Sequence, residues 1–240
     1  KNLIAELHLR ASYWYEDSGL LLKAFDHAVE AKDVDRAACL MRGKGMPLQY
    51  RGSVTPILNW LKSLPEETLN ARQSLRVAYA STLTMLGKPV ENIEEILKKV
   101  EVDLTSAAQD EISRDYIGQI AVIRAMLAIP RNQVDEILKQ SNRALAYLHP
   151  DNLPLRTNAA WSLGYAYQLR GDRSAAKKEL KKALSISKAS GNIMMSVATL
   201  TNLGQLYELE NQLGLARDSY KRVLKLICKP PLPYACGALI

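Results

Sequence analysis

Asn158, Trp161, Tyr165 and Gln168 follow one another at intervals of three, four and three residues. That spacing stacks side chains on one stripe of an α-helix. Two aromatic faces between two amides combine stacking area with paired hydrogen-bond donors and acceptors, which suits a sugar or a peptide. Thr201 and Gln205, four residues apart, carry the polar part of the pattern onto a later segment. A second use of the same aromatics, packing against a neighbouring helix, stays open at this point. Catalysis has no comparable signal. Glu6 and Glu16 share a stripe with Leu9 and Tyr13 and invite comparison with a glycosidase pair. On one helix, however, they are separated by roughly 15 Å of rise, beyond either glycosidase geometry. No Ser/His/Asp or Cys/His order marks a nucleophile, and Cys39 is expected to be a small core residue. His8, His27 and His149 are too scattered for a local metal set, and Asp33-x-x-Arg36 reads as a helix-start pair. No catalytic residue, metal site or cofactor is therefore assigned to the chain.

The stripe requires a frame, and small residues reveal it. Ala125, Gly164 and Gly204 are each followed 12, 16 and 19 positions later by a row: Ile137, Ser141, Ala144; Ala176, Leu180, Ala183; Ala216, Tyr220, Val223. Ser12 with Ala24, Ala28 and Ala31 keeps the register, and Ala80 with Ile93, Leu97 and Val100 keeps it with one residue added at Gly87-Lys88-Pro89. A small residue on one helix facing an aligned row on the next lets two antiparallel helices approach closely. Five such hairpins make a tandem repeat with a period of about 40 residues. On each first helix, the positions six and three before and one and four after the small residue point away from the partner helix. They select Ser74, Val77, Ser81 and Thr84; Gln119, Val122, Met126 and Ile129; the Asn158 stripe; and Ala198, Thr201, Gln205 and Glu208.

Periodicity and composition agree on an all-α chain. Apolar residues recur at helical spacing almost throughout, and the 48% hydrophobic content is enough for a continuous core. Helices are predicted near 3–18, 20–31, 34–43, 53–63, 67–86, 90–101, 107–129, 132–148, 153–170, 173–189, 192–210 and 213–228, punctuated by Gly19, Gly87, Gly171, Gly191, Asp33, Ser53 and several prolines. Short connections between them imply antiparallel hairpins stacked into a right-handed superhelix with a concave and a convex face. The net charge of +7 draws on Lys177, Lys178, Lys181 and Lys182, which read as a solvated helix face because no interleaved aromatics or reading motif accompany them. Three cysteines without a CxxC suit a reducing cytoplasm. The longest uncharged run, Ala189 to Tyr207, carries seven polar side chains and reads as a turn and an ordinary helix rather than a membrane span.

Two groups of motifs resemble known families. Leu163-Gly164-x-x-Tyr167 with Ala176-x-x-x-Leu180, and Leu203-Gly204-x-x-Tyr207 with Ala216-x-x-x-Tyr220, resemble the tetratricopeptide (TPR) pattern in a longer-helix variant. Nearer the start stand Leu7-His8-x-Arg10-Ala11-Ser12-x-Trp14-Tyr15-Glu16-x-x-Gly19, Ala24-Phe25-x-His27-Ala28, Asp33-x-x-Arg36-Ala37-Ala38, and Arg51-Gly52 leading to Trp60-Leu61-x-x-Leu64-Pro65-Glu66-Glu67. In that order they resemble the region that follows the nucleotide-binding part of the MalT-like regulators, ATP-dependent transcriptional activators of the LuxR family.

The resemblance implies a helical-repeat sensor arm between an ATPase module and a DNA-binding module. Residues 1–69 are then N-terminal repeats leading from the ATPase, and 70–240 a superhelical sensor region. The chain has no G-x-x-x-x-G-K-[ST] loop and no C-terminal helix-turn-helix pattern, so ATP and DNA belong to other modules of the parent protein. The start at Lys1 and the apolar end at Ala235 to Ile240 read as cuts, and that apolar end is expected to favour self-association. The expected function is effector sensing and signal transmission in the cytoplasm. A small-molecule inducer or a regulatory protein would bind the concave face at Asn158, Trp161, Tyr165, Gln168, Thr201 and Gln205. The alternative is a scaffold that captures a peptide or protein and has no small-molecule ligand.

Overall fold

A computed structural model of the chain describes residues 2–43, 45–106 and 110–228. These form α1 (Asn2–Asp17), α2 (Leu21–Glu30), α3 (Val34–Arg42), α4 (Val54–Ser63), α5 (Glu66–Asn70), α6 (Gln73–Met85), α7 (Val90–Ser106), α8 (Glu111–Ala128), α9 (Val134–Tyr147), α10 (Leu153–Arg170), α11 (Arg173–Ala189), α12 (Ile193–Leu209) and α13 (Leu213–Ile227), with short 3₁₀ turns at 48–51 and 129–131. The fold is all-α, built from tandem helix hairpins, and no strand occurs among the described residues. Residues 229–240, with the apolar end from Ala235 to Ile240 that was expected to favour self-association, lie outside the described residues. Cys236 is among them.

The punctuation works through backbone chemistry. Gly171 follows α10 in the left-handed region at φ 85°, which a side chain disfavours, and its N–H closes on the Gln168 and Tyr167 carbonyls. Asp33, Asp110, Asp172 and Asn192 cap α3, α8, α11 and α12 by accepting from Arg36, Ser113, Ala175 and Met195 N–H. Asp33 and Arg36 thus meet through the backbone N–H, as a helix start. Ser53 precedes α4 without a side-chain cap bond. The predicted 67–86 helix is two helices. Arg72 is extended at φ −124° and ψ 105°, and the break places Leu75 fully inside while Leu69 packs on the same core. The helix predicted over 90–101 continues to Ser106, which brings Leu104 inside as well.

The described chain divides into two compact units, 1–88 and 89–240. In the first, Phe25 meets Trp60 edge to face with ring centres 5.3 Å apart, among Ala24, Ala28, Leu40, Ile57 and Leu61. Ser12 is fully buried and donates to the Ala24 carbonyl at 2.8 Å, so the small residue of α1 does face α2. Cys39 is exposed, which corrects the expectation of a core residue. The buried row of α3 is Ala37, Ala38, Leu40 and Met41, and Cys39 lies about 200° around the helix from Ala37.

In the second unit the hairpins α8–α9, α10–α11 and α12–α13 follow the predicted register. A methyl group on Gly164 would stand 2.7 Å from Leu180 Cγ, and one on Gly204 would stand 2.6 Å from the Tyr220 ring. These are the pairs sixteen residues apart that the register names. Ser141, sixteen beyond Ala125, is likewise fully buried. Sequence-distant polar bonds tie α7, α8 and α9 together. Arg124 Nε donates to both Glu94 oxygens at 3.2 Å and Arg124 Nη1 lies 2.7 Å from Glu101, which also holds Arg143 at 2.9 Å.

Candidate functional site

Helices α8, α10 and α12 are the first helices of successive hairpins, and α10 packs beside both of the others; Val122, in the stripe of α8, is buried, so the surface that the stripes present lies on α10 and α12. On α10 the Trp161 and Tyr165 rings lie 5.5 Å apart and nearly parallel, at 11°. Both are half-buried. One edge of Trp161 packs against a core of Leu180, Leu200 and Leu203, and its indole N–H donates to Asn202 Oδ1 at 2.8 Å. Trp161 therefore joins α10 to α12, while Tyr165 lies against it in an offset stack.

Asn202 holds the remaining polar side chains. Its Nδ2 lies 3.4 Å from Gln168 Oε1 and 3.4 Å from Gln205 Oε1. Five side chains from two helices thus form a continuous aromatic and amide surface: Trp161, Tyr165, Gln168, Asn202 and Gln205. Gln205 is exposed and Gln168 half-buried. Thr201 is half-buried and turns its hydroxyl to the Val197 carbonyl at 3.0 Å. Asn158 is 3% exposed and engaged within the fold, so it lies beneath the stripe.

Asn202 was not selected from the sequence. It stands two residues before Gly204, off the outward positions, and only the partner helix shows that a buried amide at this junction completes the Trp161 bond. At the far end of α12, Glu208 accepts from the Tyr220 hydroxyl at 3.1 Å. Burial, reinforced by that carboxylate, pushes the Tyr220 phenol above its usual value of 10.0.

Other chemistry-bearing residues take structural places. Glu16 pairs with Arg36 at 2.7 Å, and the Arg36 guanidinium sits 3.8 Å over the Tyr13 ring. Glu16 is thereby engaged by the Arg36 guanidinium. His8 and His27 meet Nδ1 to Nδ1 at 2.8 Å, and Tyr15 stacks on His27. Of the four clustered lysines, Lys177 bonds Glu210 and Lys182 bonds Glu179, while Lys178 and Lys181 are exposed. Among the described residues no group of three or more His, Cys, Asp or Glu is placed to hold a metal, and no helix is long and apolar enough to cross a membrane.

Fold and face together define a helical-repeat interaction domain. Residues 118–239 match the MalT-like TPR region. The chain belongs to that family. Over 154 residues, 64% of the chain, it is 30% identical to the serine/threonine-protein kinase PknK of Mycobacterium tuberculosis, and the same figures hold for the PknK of Mycobacterium bovis. The chain spans 14% of the length of those relatives.

Proposed function

We propose that this chain is the effector-sensing and signal-transmitting arm of a larger regulator, and that its ligand contacts the face made by α10 and α12. The stacked Trp161–Tyr165 pair beside the Gln168–Asn202–Gln205 amides carries this reading. It presents flat apolar area and uncharged hydrogen-bonding groups on one surface that crosses a hairpin boundary. A ligand there touches two repeats at once. If the angle between those repeats differs between resting and active states, a ligand that prefers one angle shifts the switch by its difference in affinity. Trp161, Tyr165, Gln168, Thr201 and Gln205 are the contacts, with Asn158 beneath them. In this reading the chain performs no catalysis and holds no cofactor. ATP and DNA, in a MalT-like activator, are handled by other modules in the cytoplasm.

The relatives broaden the output. A 30%-identical segment occurs in proteins named as serine/threonine-protein kinases, so the same arm serves a kinase as readily as a DNA-binding module. A peptide-binding scaffold is the second reading, favoured by the continuation of the face from α10 onto α12, across a hairpin boundary. Thermal melting against sugars, oligosaccharides, sugar phosphates and other metabolites separates the two. A ligand at 100 times its Kd adds about 2.7 kcal/mol, and its shift should vanish in Tyr165→Ala and Gln205→Ala. A panel without any shift, combined with capture of a defined peptide that Tyr165→Ala abolishes, favours the scaffold.

A further inference from the structure

Two second helices concentrate the positive charge of the chain. Between them α11 and α13 hold ten Lys and Arg against two acidic residues, a net charge of +8 where the whole chain carries +7. Both acids are already engaged: Glu179 is 8% exposed and pairs with Lys182, and Asp218 pairs with Arg217. Beyond these pairs stand Lys178, Lys181 and Lys188 on α11 and Lys221, Arg222 and Lys225 on α13, all exposed. The packing register sets them in matching places. Lys181 and Lys221, like Lys182 and Arg222, are forty residues apart, as are Gly164 and Gly204, and on either helix the bases fall within about 120° of the circumference. Lys177 bonds Glu210 at 2.7 Å and Arg173 reaches the Leu209 carbonyl at 3.1 Å, so the start of α11 lies against the turn that leads into α13. Every exposed residue of α11 is Lys, Arg, Ser or Ala. The exposed leucines of α13 are Leu213 and Leu215 in its first turn and Leu224. Leu224 matches Leu184 of α11, which packs against Leu200 and Leu203, and so belongs to the side that α12 covers on α11.

We propose that this face binds the phosphate backbone of a nucleic-acid duplex without reading its bases. A DNA duplex presents one negative charge per ~1.7 Å of axis, and closely spaced cations suffice to bind it by displacing its counterions. Other anionic partners ask for groups that α11 does not expose. Single strands are held on aromatic stacking platforms, and a helix that lies on a membrane sinks an apolar face into it. The core of a protein interface is poor in lysine and is anchored by aromatic or apolar side chains. Backbone contacts position a protein and carry no sequence information, so base reading stays with other modules of a regulator. The face shares no residue with the Trp161 surface.

The test is fluorescence anisotropy of labelled mixed-sequence DNA and RNA duplexes titrated with the full chain. Saturable binding is expected, and the tighter of the two identifies the duplex. With about six phosphate contacts, affinity should fall about a thousandfold between about 50 and 200 mM salt. The triple variant Lys181→Gln, Lys221→Gln, Arg222→Gln should reduce the slope of log affinity against log salt by about three. A charge-matched triple at exposed lysines elsewhere, Lys23→Gln, Lys62→Gln, Lys98→Gln, should leave the slope unchanged, as should Tyr165→Ala, which separates this face from the proposed sensing face. Absence of binding to both duplexes at the lower salt overturns the proposal. So does an equal loss in the two triples, which makes the effect one of net charge alone. Polyglutamate that binds as tightly as the duplexes makes the partner an acidic peptide, and a single strand that binds more tightly than its duplex makes it an unpaired one; either overturns the assignment. Circular dichroism checks the fold of each variant. If the first triple fails to fold, Lys221→Gln alone decides, with a slope change of about one expected, and an unchanged slope in it overturns the proposal.

Discussion

At Gly164 the helix gives up favourable propensity so that α11 can approach. Alanine is intrinsically better in a helix by about 1 kcal/mol, yet its methyl group would stand 2.7 Å from Leu180 Cγ and 3.1 Å from the Leu180 backbone nitrogen. Gly164→Ala is expected to destabilise by about 1–2 kcal/mol net, measured by urea denaturation; a stabilised variant would show that the close approach is not required. Two neighbouring aromatics should also separate. Trp161→Ala removes core contacts and the Asn202 bond and is expected to cost about 2–3 kcal/mol. Tyr165→Ala should cost less than about 1.5 kcal/mol while abolishing ligand-dependent shifts. Tyr220 gives a pH prediction. Its folded-state pKa is raised above the ordinary 10.0, so the neutral phenol favours the folded state. That contribution is complete below pH 10 and is lost as pH rises through the higher folded value. Alkaline melting curves should show the loss in the parent and not in Tyr220→Phe.

Elements are positioned by a few side chains that the sequence pattern does not mark. Asp115 on α8 accepts from the His149 N–H at 2.7 Å, from Gln119 Nε2 at 2.8 Å and from Asn152 Nδ2 at 3.1 Å, binding the α9–α10 loop back onto α8. Asp115→Ala is expected to cost about 1–3 kcal/mol and to speed amide exchange at His149 before it does so elsewhere. The first helices, the small residues and the rows sixteen residues beyond them were legible because close packing restricts residue size at fixed intervals. The stripe of Trp161, Tyr165, Gln168 and Gln205 was legible for the same reason, as the positions that interval leaves facing out. The split at Arg72 was not, since Asn70-Ala71-Arg72 contains neither Gly nor Pro and the break serves the burial of Leu75. Asn202 was hidden for another reason. A buried amide becomes informative only when the donor or acceptor opposite it is known, and that group comes from a different helix or a different turn.

Over the larger unit, 89–240, stability should approximate a sum over hairpins and their junctions, because each repeat contacts its neighbours. A fragment of residues 89–240 is expected to keep a helical circular dichroism spectrum and a sigmoidal melt; a featureless spectrum would show that this stretch does not fold by itself. Within the α10–α11 and α12–α13 hairpins, the glycine notches have a mechanical consequence. Leu180 seats against Gly164 and Tyr220 against Gly204, so sliding one helix past the other by a residue would drive a side chain into backbone. Axial shear inside these two hairpins is blocked, whereas the junction between them is held by side chains alone, the Trp161–Asn202 bond and the packing of Leu180 against Leu200 and Leu203. Each of these two hairpins should therefore move as one stiff link, so that any change of angle between them falls at their junction, where the amide and aromatic groups lie.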